Sequence, residues 1–268
     1  MLKIAVVTPY YKEDSAVLWQ CHKSVLQQTH ECHHILVADG HPQSGFESSP
    51  RTLHVKLPLS NSDNGNTPRA IGGILADSYG FDAVAYLDAD NWFDPTHIEG
   101  MIAAHELSGS PIIACKRRYF DLSGSELLIG ETDEDANLHV DTSCYLLFRP
   151  AFSLLRAWLM PKVLGSLCDR VFLKKAIKAE FKITYIPART VGFRTQYLYH
   201  YHKAGIAPPP NVKANNVHDA ALNYLISGEA DSGEYAELLS YLLPSQKRNQ
   251  LCLCGSGKKY KHCHGSLV

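Results

Sequence analysis

The sequence predicts an α/β fold, a Rossmann-like and mostly parallel sheet flanked by helices, followed by a short helical segment and a small metal-binding tail. Three observations predict it. Short β-branched apolar runs alternate with helical spacing through the first 115 residues. Carboxylates stand where several of those runs end, the edge at which open α/β sheets bind ligands. Three of the eight cysteines, at 252, 254 and 263, crowd beside a histidine near the last residue. With 268 residues, 45% hydrophobic and 20% charged, the chain has enough apolar side chains for a sizeable core without disulfides, which excludes an overall disordered protein. A net charge of −1 gives no sign of a general nucleic-acid binder. No apolar run is long enough for a membrane span and the N-terminus soon turns polar, so neither a span nor a signal peptide is expected and the expected location is cytoplasmic.

Residues 3–8 read as a buried strand that runs into Pro9, a residue unsuited to a central ladder. Helical spacing begins at Ser15, with Val17, Leu18, Cys21, Val25 and Leu26 on one face and Asp14 or Ser15 as cap. A second strand, 34–38, ends at Asp39-Gly40, and a third spans 53–57. The next helix, 68–79, takes Thr67 as N-cap and Pro68 as its first residue. A strand at 83–87 leads into Asp88-Ala89-Asp90-Asn91, a helix opened by Asp94-Pro95 runs to about Leu107, and 111–115 form another strand. Residues 116–147 read as irregular, with a hairpin at 121–124 and an acidic loop at 131–135. Helices at 151–158 and 169–178 and strands at 182–186 and 191–195 complete a main domain of residues 1–207. Three prolines at 208–210 open a linker, 208–246, with two short helices at 212–226 and 234–243, before the tail at 247–268.

Asp88-Ala89-Asp90 follows an apolar strand directly, and two carboxylates there suit a hard cation that also takes phosphate oxygens. The bland reading is a polar loop before a helix capped by Asp94. Asp39 could accept a hydrogen bond from the imide N–H of a uracil ring, or serve only as a turn residue before Gly40. Arg69 offers planar donors near the base or diphosphate. His30, Cys32, His33 and His34 look like a metal cluster, but strand alternation favours solvated strand-entry residues.

Four segments carry a family resemblance: Val6-Val7-Thr8-Pro9-Tyr10-Tyr11, Val37-Ala38-Asp39-Gly40, Asn64-Gly65-Asn66-Thr67-Pro68-Arg69-Ala70-Ile71-Gly72-Gly73 and Tyr86-Leu87-Asp88-Ala89-Asp90-Asn91. In this order they resemble glycosyltransferase family 2. The resemblance implies the GT-A fold and a transferase that moves a sugar from a nucleotide-diphosphate donor, UDP favoured, to an unidentified hydroxyl acceptor, with inversion. It implies that Thr8, Pro9 and Tyr10 line the base pocket, that Asp39 accepts a bond from the base, that Asp88 approaches the ribose and a metal-bound water, and that Asp90 ligates Mn²⁺ or Mg²⁺. By the same resemblance His200, in a stretch with His202, is a further metal or diphosphate contact, and Asp169 at a helix start is the general base. Cys168 stands where the family commonly has the first member of an acidic pair; Asp141 is a second acidic candidate. The alternative is a catalytically weak protein that binds a nucleotide-sugar or glycan and is recruited through its tail.

In that tail Cys252, Cys254, Cys263 and His264 form C-x-C, eight residues, then C-H, four soft ligands suited to closed tetrahedral Zn²⁺. The stretch from Arg248 to Gly265 resembles the SEC-C motif, a zinc-binding tail of translocation ATPases and other bacterial proteins. A phosphate-loop reading of Gly257-Lys258 fails, because no glycine lies five residues earlier and Lys259 replaces the needed hydroxyl. So short a segment cannot bury a core, so metal supplies most of its folding free energy. Arg248, Lys258, Lys259 and Lys261 then leave a basic face for an acidic protein or ribosomal RNA.

Overall fold

The computed structural model describes residues 1–129, 139–210, 212–213, 219–227, 235, 248–249 and 259–262. The chain divides into two compact units, Met1–Asn215 and Asn216–Val268. In chain order the first unit contains β1 (Ile4–Tyr10), α1 (Ser15–Leu26), β2 (Cys32–Ala38), β3 (Thr52–Lys56), α2 (Asn66–Ser78), β4 (Ala83–Tyr86), β5 (Trp92–Phe93), α3 (His97–Ser108), β6 (Ile112–Phe120), β7 (Glu126–Leu127), β8 (Tyr145–Phe148), α4 (Cys168–Lys178), β9 (Ile183–Arg194) and α5 (Leu198–Lys203). The second unit contributes α6 (Asp219–Ser227).

The described strands form one sheet in the order β3-β2-β1-β4-β8-β6-β9-β5, with β7 added to β6. Strands β1 to β4 are parallel to one another, β8 runs antiparallel between β4 and β6, and β6 pairs parallel with β9. The register sets Tyr10 beside Ala38 and Val7 beside Tyr86, so the carboxyl ends of β1, β2 and β4 open together. Every residue of β1 is buried, as expected of a strand covered on both faces. Val7 and Val37 face α2, whereas Tyr10 shares the opposite side with Leu18 of α1, Leu36 and Phe46. At the α2 contact Gly72 is required by space: a Cβ there would lie 2.4 Å from Val7 Cγ1 and 3.2 Å from Val37 Cγ2.

Several elements differ from expectation for identifiable reasons. The strands expected at 182–186 and 191–195 are one strand, β9, and β6 continues to Phe120 well past Cys115. Their parallel ladder shifts register between Ala114 and Arg117, which accommodates Pro187 where it need not donate. Residues 149–158 form a 3₁₀ helix, Arg149–Trp158. Thr67 lies inside α2, which starts after the left-handed Gly65; the capping oxygen comes from Asp63, which accepts from Thr67 N at 2.9 Å and Oγ1 at 2.6 Å. Asp14 caps α1 through Ala16 N at 2.8 Å, and the 121–124 turn closes through Gly124 N to Asp121 O at 3.1 Å. The three prolines fall inside the first unit, because Lys213 N donates to Gln196 O at 2.6 Å. Of the expected 212–226 helix, α6 covers the end; the acidic loop at 131–135 and nearly all of the 234–243 helix lie outside the described residues. No helix among the described residues is long and apolar enough to cross a membrane.

Two glycine substitutions separate packing from propensity. Gly72→Ala is expected to lower unfolding free energy by about 1–3 kcal/mol through overpacking against Val7. Gly100→Ala in α3, where a new Cβ meets nothing within 4 Å, is expected to raise it by up to about 1 kcal/mol, both read by urea denaturation.

Candidate active site

The end of β1, the end of β2 and the turn after β4 surround one cleft at the carboxyl edge of the sheet, beside the start of α2. Its floor is an ion pair. Arg69, 4% exposed, donates from Nη2 to Asp88 Oδ1 at 2.6 Å and from Nη1 to Asn64 O and Asn66 Oδ1, both at 3.0 Å. Its guanidinium also lies 5.3 Å from the Trp158 ring. The two terminal nitrogens are thus committed to protein partners, Nη2 to Asp88. The turn after β4 is fixed from the other side by Ser143, whose hydroxyl accepts from Asp88 N and Asn91 Nδ2, both at 3.1 Å.

Asp39 stands at the end of β2, and both its oxygens are engaged. Oδ1 accepts from Asn61 N and Nδ2 at 2.8 Å, and Oδ2 from Ser60 Oγ and Ser62 N at 3.2 Å. Gly40 follows at φ 79°, and a Cβ there would meet Ser60 N at 2.6 Å, so the Asp-Gly turn and the 60–62 loop need each other. Thr8 and Tyr10 share the α1 side of β1. Thr8 Oγ1 bonds His34 Nε2 at 2.8 Å, while Tyr10 Oη bonds His54 Nε2 at 2.7 Å and accepts from Gln43 N at 2.8 Å. Their side chains support the cleft from beneath; Pro9 faces the α2 start, where its ring packs against Gly65. Tyr11 remains 39% exposed with His41 edge-on at 4.6 Å.

The expectation of a solvated strand entry fails at His34 and Cys32, both buried. His34 Nδ1 lies 2.8 Å from His22 Nδ1, and burial lowers His22 to about 4 and His34 well below its usual value, so both are neutral spacers under the cleft. Helices α1 and α2 pack against β2, so alternation along it leaves no solvated face.

Asp90 is different in kind. Gln196 Nε2 approaches its Oδ2 at a long 3.4 Å. Burial pushes its carboxyl up to about 7, Asp88 and Glu13 add to the push, and Lys213 opposes it. A half-buried acid with weak compensation beside a second carboxylate is the arrangement that a divalent cation relieves, so Asp90 fits one chemically. His200 sits among Tyr119, Phe193, Tyr197 and Tyr199, with Nδ1 2.6 Å from Thr195 Oγ1; burial and then Arg117 lower it to about 3, so it is a neutral imidazole. Among the described residues no three His, Cys, Asp or Glu side chains converge on one point.

Asp169 opens α4 in its first turn, accepting from His139 Nε2 at 2.6 Å and from Arg170 N at 2.7 Å. Burial favours its neutral form, but His139 and Arg170 outweigh this and hold the carboxyl well below the usual range. Burial pushes the neighbouring Cys168 thiol up to about 12, against Arg69 and with the charges of Asp169 and Asp88, so it is a neutral group between the acids. Asp141 forms a buried ion pair with Arg117 and accepts from Ser143 N at 3.0 Å. Sequence reasoning missed His139, Ser143, Gln196 and the 60–62 loop; only the polar Ser-Asn-Ser run carried any signal, and that of a turn.

Residues 5–179 match the sequence model of glycosyl transferase family 2. The chain belongs to this family. Three-dimensional comparison agrees on the GT-A fold. S. aureus TarS residues 1–349 in complex with UDP-GlcNAc superpose with a TM-score of 0.59 at 14% identity, covering 90% of this chain and 72% of that one. The UDP complex gives a TM-score of 0.55 at 12% identity, covering 90% and 71%. Residues 248–266 match the SEC-C motif. Among curated proteins, the translocase subunit SecA of Bordetella petrii is 39% identical over 63 residues, 23% of this chain and 7% of that protein. SecA of Albidiferax ferrireducens is 72% identical over 26 residues, 10% and 3%. The chain thus spans less than a tenth of the length of these relatives.

The raised Asp90 carboxyl yields a pH signature. Its folded state holds a proton from the ordinary value of 3.8 up to about 7, so its contribution to metal-free stability is present below pH 4 and is lost as pH rises through 7. Asp90→Asn is expected to flatten that slope in melting temperature against pH. A divalent cation bound at Asp90 would displace this proton, so the affinity for Mn²⁺ by calorimetry is expected to climb about tenfold per pH unit toward neutrality and level off above it.

Proposed function

We propose that this protein transfers a sugar from a nucleotide-diphosphate donor, UDP favoured, to a hydroxyl acceptor, with inversion and with a divalent cation at Asp90. The observation that carries the reading is the carboxylate pair after β4, Asp88 clamped by Arg69 and Ser143 beside the weakly compensated Asp90, in a family 2 domain. The UDP and UDP-GlcNAc named for the TarS structures support the choice of base.

In this reading Pro9 and the backbone of β1 border the base, with Thr8 and Tyr10 holding that strand from below. Asp39 meets the base imide by exchanging one of its longer bonds, to Ser60 or Ser62 at 3.2 Å, for the ligand's donor. Asp88 approaches the ribose with its orientation set by Arg69. Asp90 holds the cation, Mn²⁺ or Mg²⁺, which supplies positive charge to the departing diphosphate; His200, its Nδ1 committed to Thr195, has only Nε2 to offer there. The acceptor oxygen attacks the anomeric carbon as the carbon–oxygen bond to the diphosphate breaks, and the Asp169–His139 pair takes up the hydroxyl proton.

The SEC-C motif is read as a structural zinc site of Cys252, Cys254, Cys263 and His264, all outside the described residues, in a chain kept reduced in the cytoplasm. Nearby, Lys261 N donates to Arg248 O at 3.1 Å, and Arg248 and Lys259 are exposed, which supports a basic docking face for an acidic protein or ribosomal RNA.

Thermal stabilisation tests the donor site. UDP-sugar with Mn²⁺ is expected to raise the melting temperature, GDP-, dTDP- and CDP-sugars much less, and Asp90→Ala to lose the shift; no shift with any donor rejects the reading. Metal analysis is expected to find one zinc per chain, lost with unfolding of the tail in Cys254→Ser.

A further inference from the structure

The donor cleft is short of uncommitted positive charge. Arg69 has both terminal nitrogens engaged, by Asp88 and by Asn64 O and Asn66 Oδ1, and those of Arg194 meet Gln20 Oε1 at 2.6 Å and Leu122 O at 3.4 Å. His200 is a neutral imidazole, lowered to about 3 by burial and then by Arg117. Negative charge is plentiful by comparison: burial pushes the Asp90 carboxyl up, and the charges of Asp88 and Glu13 push it further. A diphosphate brings more negative charge into this place and gains still more as its bond to the sugar breaks, so its outer phosphate needs a cation.

Lys213 is placed to supply it. Its charge is the one that opposes the rise at Asp90, its side chain is exposed, and its Nζ rests 5.3 Å from the centre of the Tyr197 ring with no ion pair among the described residues. The backbone fixes its position. Lys213 N donates to Gln196 O at 2.6 Å and Lys213 O accepts from Leu198 N at 3.0 Å, so the residue is bridged on both sides to the segment whose Gln196 Nε2 approaches Asp90 Oδ2 at 3.4 Å. Tyr197, between those anchors, faces the same acids: burial raises its phenol, the charges of Asp169, Asp141 and Asp88 add to the rise, and Arg117 opposes it. The flexible four-carbon stem lets the ammonium swing from the tyrosine face to a phosphate oxygen.

Resting on the function proposed above, we infer that Lys213 binds the outer phosphate of the nucleotide-diphosphate and meets the charge that grows there as the sugar leaves. In the transfer the acceptor oxygen forms its bond to the anomeric carbon, and the electrons of the broken carbon–oxygen bond pass to the outer phosphate. The ammonium of Lys213 donates hydrogen bonds to that phosphate and keeps its protons, while the acceptor proton goes to the Asp169–His139 pair. A compact ammonium suits this task, because it acts as a point charge that follows a phosphate whose charge and position change during the step.

Calorimetry on the full chain with Mn²⁺ tests this with UDP, UMP and UDP-GlcNAc. Lys213→Met, which keeps the stem on Tyr197 and removes the charge, and Lys213→Gln are expected to stay within about 2 °C of the wild-type melting temperature, since only an exposed charge is lost. Both are expected to bind UDP about 10–100-fold more weakly and UMP within about threefold of wild type, with Lys213→Arg recovering most of the loss. UDP-GlcNAc, whose outer phosphate carries the sugar and less charge, is expected to weaken by a smaller factor than UDP. A loss with UMP or UDP-GlcNAc as large as that with UDP, or no loss with UDP, overturns the inference and leaves the donor site standing. A melting temperature lowered by more than about 5 °C in both uncharged variants assigns the lysine to structure and also overturns it. Absence of UDP binding by the wild-type protein rejects the donor-site reading instead, and the inference with it.

Discussion

A guanidinium taken out of water must find its partners inside the protein, because an isolated buried charge costs far more than a folded domain can spare. Arg69 is in that position, and two separate pieces of chain supply the partners: the 64–66 entry to α2 and the turn after β4 at Asp88. Much of the cleft follows from satisfying it. The left-handed Gly65 brings Asn64 O within reach, Asp63 holds the helix start, and Trp158 closes the lower side of the guanidinium. Because Trp158 also stacks on Phe172, the same contact orients α4 and the acid at its beginning.

The cleft uses its carboxylates in three different ways, set by what surrounds each. Asp39 is saturated by a loop and organises the entrance. Asp88 is ion-paired and positioned. Asp90 meets Gln196 at a long 3.4 Å and is pushed toward its neutral form. The differing partners leave one acid weakly compensated and hold the other two in place. Asp169 adds a fourth case, an acid kept ionised by His139 and Arg170 at the start of α4.

The buried histidines beneath β1 and β2 belong to the same logic of satisfied polar groups. Thr8, His34 and His22 pass one chain of hydrogen bonds through the α1 side of the sheet, and Tyr10 with His54 and Glu47 forms a second. These networks hold the end of β1 level with the end of β2 where a ligand would press on it. The cost of leaving any member unpaired in so apolar a layer makes them rigidifying elements.

Periodicity alone determined the strand and helix order of residues 3–115, since alternation of apolar runs and helical faces is a local property that burial on both faces of a sheet enforces. Short motifs determined the family and the places where Asp39, Asp88, Asp90 and Asp169 would stand, because strand ends and helix starts are marked by their own residue types. The tertiary structure decided what each of those residues does. Whether Arg69 faces a ligand or Asp88, whether Asp39 is free or occupied, and whether Asp169 is alone or paired with His139 depend on partners 19 to 30 positions away in sequence. Hydrogen bonds and desolvation act through space over a few ångströms, and only the folded chain brings those groups within that distance.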